Sequence, residues 1–304
     1  MAHPDPHPNL YHPRLWPTWF AFGVLRLLAL LPYRPLMAVG RLIGRLMRLL
    51  AKRRVHIARV NLQLCFPQYA DAQREQLLND YFEATGMGIM DFAIAWWWPD
   101  ARLAPMIEIE GEENLKPAFE PGNGVIFYSA HFSPLELSAR MLRKHAPLSA
   151  MYRPNENPVV EQVLVRNRER YLERTIPRHN VRLMLKTLGG NKGVWFAPDQ
   201  NYGLKNSVFA NFFGVAAATN TSTSRFAAMS GAKVVPFVAL RRPEGGYRVI
   251  IQPMLEDFPS DSPKQDAERL NQIIEDWVAL APEQYNWMHR RFKDRPGNES
   301  GFYE

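Results

Sequence analysis

Cysteine is almost missing from this chain: Cys65 stands alone among 304 residues. That excludes an internal disulfide framework and any metal site built from several cysteines, and it fits a reducing compartment. In the context NLQLCFP the residue reads as a small buried apolar group rather than a nucleophile. Several familiar chemical signatures are absent as well. The chain has no G-x-S-x-G elbow, no Walker A loop, no H-E-x-x-H helix and no strand-linked G-x-G-x-x-G. The stretch GMGIMD at 86–91 lies inside a helical pattern and is no phosphate loop. Internal repeats, low-complexity tracts and Gly/Ser linkers are lacking too, so nothing of that kind divides the body of the chain.

A basic excess on the body is also missing, although the formal net charge is +7. Ten of the 37 Lys and Arg and one of the 30 acids fall in the first 70 residues, for a local charge of +9. The remaining 234 residues carry 27 bases and 29 acids, a charge of −2. A nucleic-acid-binding domain carries its positive charge on the folded body, so no nucleic-acid partner is expected.

What the front of the chain does have is apolar surface beside positive charge. Residues 16–31, WPTWFAFGVLRLLALL, are apolar apart from Thr18 and Arg26. The run is shorter than the ~20 residues that cross a bilayer comfortably, which predicts an N-terminal membrane anchor, either a short tilted span or an embedded helix. The weak basic start and missing small-residue cleavage pattern argue against a cleaved signal peptide. Behind it, Arg41, Arg45, Arg48 and Lys52 recur at helical spacing with Leu42, Leu46, Leu49 and Leu50 beside them. A helix of this kind suits an anionic membrane surface, and a solvated basic face packed on the body is the plainer alternative. The positive-inside tendency puts this cluster and the body on the cytoplasmic side. The reading divides the chain into an anchor with a basic amphipathic helix, 1–70, and a main domain, 71–304.

From 71 to 98 the pattern is helical and ends in AWWWPD. Three adjacent tryptophans cannot all point one way, so two are expected in the core and at least one toward lipid, a groove or a partner. Thereafter short apolar runs at 124–130, 148–153, 193–198, 233–240 and 247–253 alternate with helical patterns at 134–144, 157–174, 181–188 and 219–230. A last helix begins near Pro263 with Ser262 as N-cap. The alternation predicts an α/β layer fold with a mixed, largely parallel sheet flanked by helices.

One residue stands out chemically. His131 follows the apolar run VIFYSA, at the end of a strand where open α/β sheets place their ligand crevices. In HFSPLE, Ser133, Pro134 and Glu136 form a capping box, which needs no enzyme to explain it. A capping carboxylate also turns back toward the preceding chain, where it would orient an imidazole and stabilise its charged form. Both readings stand at this point. A histidine base without a neighbouring Ser or Cys suits direct transfer, in which the imidazole deprotonates a hydroxyl that attacks an activated acyl group.

H-x-x-x-x-E at 131–136 resembles the H-x-x-x-x-D motif of the glycerolipid and lysophospholipid acyltransferases. Further segments carry a narrower resemblance almost end to end: HPRLWPTW at 12–19, RVNLQLCFPQ at 59–68, GMGIMD at 86–91, AWWWPD at 95–100, HFSPLEL at 131–137, YRPNENP at 152–158, VWFAPDQNYG at 194–203, MSGAKVVPFV at 229–238 and APEQYNWMHRRFKDRP at 281–296. Together they are similar to the lipid A biosynthesis acyltransferases of the lauroyl type, in Gram-negative bacteria. The resemblance implies a glycerolipid acyltransferase-like fold and transfer of a fatty acyl chain from acyl-carrier protein to the hydroxyl of a 3-hydroxyacyl chain on a lipid A precursor. It implies an enzyme at the bacterial inner membrane, in contact with its lipids on the cytoplasmic face, with no metal and no cofactor. His131 would then be the general base, Glu136 its orienting carboxylate, and Arg153 a substrate or transition-state contact. Asp199 and Gln200 would lie beside the site. On the residues alone, Arg153 suits a phosphate or oxyanion as well as a structural ion pair, and Asp199 suits a turn. Arg290 and Arg291, in HRRFKDR, suit phosphates, sugar acids or an acidic carrier, or simply form a solvated basic end. Two other readings remain: an acyltransferase of the same fold acting on a glycerophospholipid or ornithine lipid, and a non-catalytic membrane-binding module.

Overall fold

The computed structural model describes residues 9–297 and 299–303. Four helices open the chain: α1 (Trp16–Leu28), α2 (Tyr33–Leu50), α3 (Lys52–Cys65) and the long α4 (Asp71–Trp97). A single turn, α5 (Asp100–Leu103), leads into β1 (Ile107–Glu110) and the short α6 (Leu115–Phe119). Strands and helices then alternate: β2 (Val125–Tyr128), α7 (Leu135–Leu142), β3 (Leu148–Tyr152), α8 (Pro158–Arg168), β4 (Thr175–Pro177), α9 (Val181–Gly189) and β5 (Gly193–Phe196). A hairpin follows, β6 (Ser207–Phe212) and β7 (Val215–Asn220), then α10 (Ser222–Ser230), β8 (Lys233–Arg241), β9 (Tyr247–Ile251) and α11 (Pro263–Leu280).

Seven strands form one sheet in the order β1-β9-β8-β2-β5-β3-β4, and only the β8–β9 pair is antiparallel. The expected mixed, largely parallel α/β sheet is therefore present, and all five expected strands lie in it. β2 reads VIFY without a polar residue because helices cover both faces of the sheet. Its side chains alternate between them: Ile126 and Tyr128 join the core on one face, Val125 and Phe127 the core on the other. β1, β4 and the β6–β7 hairpin are not among the strands expected from the sequence. The helix expected over 157–174 is shorter, because α8 stops at Arg168 and the chain turns into β4. β1 alternates as IEIE but has only four residues and β4 only three, and the hairpin strands mix polar and small residues so that their period-two contrast is weak.

At the front of the chain, the spanning form of the expected anchor does not fit α1. α1 has 13 residues, about 20 Å of helix against a hydrocarbon layer of about 30 Å. No helix among the described residues is long and apolar enough to cross a membrane. The basic stretch is likewise not one helix, because the chain breaks at Ala51 between α2 and α3. α2 packs along α4 so closely that a Cβ on Gly40, Gly44 or Gly86 would run into the facing backbone. Arg45 and Arg48 pair across that contact with Glu83 and Glu75. Leu42, Leu46, Leu49 and Leu50 remain exposed.

GMGIMD, on α4, has a distinct packing task at each of three positions. Gly86 admits α2. Gly88 faces the loop after β2, where a Cβ would stand 2.9 Å from the Ser133 carbonyl oxygen. Asp91 is buried and accepts hydrogen bonds from Arg241 and from the Tyr247 hydroxyl (2.6 Å), tying α4 to β8 and β9. The expectation for the tryptophans holds: Trp96 and Trp98 are buried, and Trp97 is half-buried in a groove.

Candidate active site

β2 and β5 run side by side in parallel register, with Val125 opposite Gly193 and Tyr128 opposite Phe196. Ser129 extends the pairing by donating its backbone N–H to the Phe196 carbonyl (2.9 Å). Three residues beyond each strand, the same register brings His131 level with Asp199. Asp199 Oδ1 lies 2.5 Å from His131 Nδ1, and Oδ2 accepts the His131 backbone N–H at 3.1 Å. A carboxylate against Nδ1 keeps the ring proton there and leaves the lone pair on Nε2. The His131 ring is about a quarter exposed, on a cleft, while the Asp199 side chain is fully enclosed behind it.

The electrostatics follow from this contact. Burial works against the charged imidazole, but Asp199 outweighs it and raises His131 above its ordinary pKa. Burial likewise penalises the Asp199 carboxylate, and His131, by charge and hydrogen bonds, holds the carboxyl below its usual value. A second histidine lies close by. His289 Nε2 accepts the Asn201 backbone N–H (2.9 Å), and burial depresses His289 to about 4, so it is a neutral acceptor. Its neighbours in HRRFKDR gave no sign of this in the sequence.

Glu136 does not touch His131, contrary to the expectation from the capping box. Residues 132 and 133 pair with the C-terminal segment instead: Phe132 bridges Tyr285, and Ser133 donates its backbone N–H to the Gln284 carbonyl (2.8 Å). α7 consequently begins at Leu135 with Pro134 as N-cap, no side chain caps it, and Ser133 Oγ is buried without a partner. Glu136 faces the other way. It accepts from Arg168 Nη2 (2.6 Å), Trp96 Nε1 (2.9 Å) and the Tyr171 hydroxyl (2.9 Å). Burial opposes its charge, and Arg168 with these donors more than compensates, holding the carboxyl below its ordinary value. Its effect is to fix Arg168, which sequence reasoning had not singled out.

The cleft beside His131 encloses about 260 Å³ and is lined by Arg153, Arg168, Arg178, Gln200 and Tyr202 among polar groups, with Leu135, Met151, Leu164 and Phe196 among apolar ones. Among the described residues no Ser, Thr or Cys lines it. It shares Met151, Arg178, Phe196 and Tyr202 with an adjoining cleft of about 340 Å³ that runs on to Lys205 and Phe226. Arg153 and Gln200 line the same cleft as His131, and Arg153 is largely exposed with only a 3.3 Å contact to Glu156. Arg291 does not. It is buried and donates to Ala218 O (2.7 Å), Thr219 Oγ1 (2.8 Å) and Asn271 Oδ1 (3.2 Å), which is structural work. Arg290 lies over the Tyr303 ring, outside the cleft residues. Cys65 is buried as expected, and burial raises its thiol pKa well above the usual value, so it is no nucleophile.

The chain is similar over nearly its whole length to proteins of one family. The family model described as bacterial lipid A biosynthesis acyltransferase matches residues 4–294. The chain is 43% identical over 294 residues to the lipid A biosynthesis palmitoleoyltransferase of Escherichia coli, covering 96% of each. It is 40% identical over 289 residues to that organism's lipid A biosynthesis lauroyltransferase, 94% of each, and 35% identical over 302 residues to a lipid A biosynthesis acyltransferase of Haemophilus influenzae, covering 98% of this chain and 96% of that one. A solved 1-acyl-sn-glycerophosphate acyltransferase from Thermotoga maritima aligns with a TM-score of 0.40 and 13% identity over 81% of this chain and 97% of that one, too loosely to bear on the reading.

Proposed function

The chain belongs to the bacterial lipid A biosynthesis acyltransferase family and is an acyl-transferring enzyme, and from that premise we propose that it moves a fatty acyl chain from acyl-carrier protein to the hydroxyl of a 3-hydroxyacyl chain on a lipid A precursor, with His131 as general base. The observation that carries the proposal is the 2.5 Å contact between His131 Nδ1 and Asp199 in a cleft without Ser, Thr or Cys. Nε2 takes the hydroxyl proton while the oxygen attacks the thioester carbonyl, and Asp199 stabilises the imidazolium that forms. The tetrahedral oxyanion then collapses, the C–S bond breaks, and the imidazolium returns its proton to the departing thiolate. The more exposed Arg153 supplies positive charge at the cleft for the oxyanion or for substrate phosphates, and Arg168, its charge paired with Glu136, adds guanidinium N–H donors there. Asp199 replaces Glu136 as the orienting carboxylate, and Gln200 is a substrate contact.

The enzyme works at the cytoplasmic face of the inner membrane, with α1 lying in the interface rather than crossing it. Trp16, Phe20, Val24 and Leu27 are exposed along one stripe of that helix, and the exposed leucines of α2 add to the apolar surface. In cells whose sole copy is His131→Ala, mass spectrometry of lipid A is expected to show one acyl chain fewer per molecule. An unchanged acyl count would sink the proposal.

A further inference from the structure

The acyl-transfer scheme leaves unused the arginine that interrupts the apolar run of α1. The guanidinium carbon of Arg26 lies 5.8 Å from the centre of the Trp97 ring. That contact lies in a cleft of about 460 Å³ between α1, α8 and the end of α4. Its apolar wall is Trp19, Phe22 and Trp97, and Arg26, Arg166 and Arg170 supply its charge. Among the described residues no carboxylate lines it. Arg170 is placed by neutral acceptors, the Trp96 carbonyl (3.1 Å) and Asn167 Oδ1 (3.4 Å), which steady the side chain without cancelling its charge.

The cleft is separate from the one at His131. α8 stands between them, presenting Leu164 and Arg168 to the histidine and Val163, Arg166 and Asn167 to α1. A hydrogen bond from Asn157 Nδ2 to Thr18 Oγ1 (3.0 Å) ties the start of α8 to α1. On α1 the cleft residues Trp19, Phe22 and Arg26 run beside the exposed stripe of Trp16, Phe20, Val24 and Leu27. A helix in a membrane interface sinks its apolar face by about 5–10 Å, so groups on the adjoining stripe sit at the level of the headgroup phosphates.

We infer that this cleft binds the phosphate of an anionic membrane phospholipid. The three guanidinium groups take the phosphate oxygens, and the aromatic wall takes the glycerol and first methylenes. The inference rests on the reading of α1 as an interfacial helix. It accounts for Arg26, which would be costly in a spanning segment and is useful at the phosphate level.

The test measures co-sedimentation of the full chain with vesicles of phosphatidylethanolamine alone or with phosphatidylglycerol added. The Arg166→Gln/Arg170→Gln double variant loses two of the three cleft cations, both on exposed positions. Lys52→Gln/Arg53→Gln removes the same charge from exposed positions on α3. The wild type is expected to prefer phosphatidylglycerol vesicles, and the cleft variant to lose about fivefold in that preference per guanidinium removed. The α3 variant should lose less than threefold in all. Equal losses would mean diffuse attraction and overturn the site. A raised KM for the lipid acceptor with vesicle preference intact would assign the cleft to the acceptor and overturn it too. Wild type that binds both vesicles equally defeats the anionic-phospholipid site alone, whereas wild type that binds neither defeats the interfacial reading of α1 as well.

Discussion

Asp199 acts on His131 in two ways that a mutation can separate. It raises the imidazole above its ordinary pKa, and it holds the ring with Nε2 free for the proposed role of base. The acidic limb of kcat/KM reports the free enzyme's essential base, which works only when neutral, so the limb is expected above the ordinary histidine value of about 6.5. In Asp199→Asn the group that raises His131 is gone while the burial that lowers it remains. The limb should therefore move to lower pH, and the plateau rate should fall by about 10²–10⁴. A pH–rate profile checks both; a plateau drop with the limb unmoved would mean that Asp199 does not set the base. At the same scale, Glu136 shows how a motif misleads. A carboxylate five residues from a histidine was read as its partner, yet its geometry serves Arg168 instead.

Among the elements, α4 aligns the others through side chains it lacks. Gly86 lets α2 close on it, and Gly88 lets the loop carrying His131 lie against its other side. Any Cβ at Gly86 meets the backbone of Gly40 and Gly44, which cannot rotate away as a side chain would. Gly86→Ala is therefore expected to cost ~2 kcal/mol or more despite alanine's better helix propensity, read as a lowered denaturant midpoint. Gly23→Ala on α1, where no atom lies within 4 Å of the added methyl, should be neutral or slightly stabilising. Comparable effects from the two would refute the close-packing account.

Across the whole molecule, the C-terminal segment returns to the site and locks distant parts together. Asn61 of α3 donates to the Trp287 and His289 carbonyls (2.7 and 2.8 Å), and Arg291 joins the β6–β7 hairpin to α11. Arg291→Leu leaves Ala218, Thr219 and Asn271 short of buried partners, an expected loss of ~2–4 kcal/mol in chemical unfolding, with the pH limb of the remaining activity unmoved. The sequence by itself determined the features that nearest neighbours decide. Apolar runs placed β2, β3, β5, β8 and β9, strand–helix alternation set the α/β class, and His131 and Asp199 were both legible as residues just past strand ends. Which of these groups meet was decided only by the tertiary structure. The β2–β5 register joins positions 68 residues apart, and the pairing of 132–133 with the C-terminal segment turns Glu136 toward Arg168. The fold of that segment buries Arg291, which looked like a surface charge. Periodicity is local and survives in the sequence, whereas register, helix packing and side-chain direction depend on residues far away along the chain.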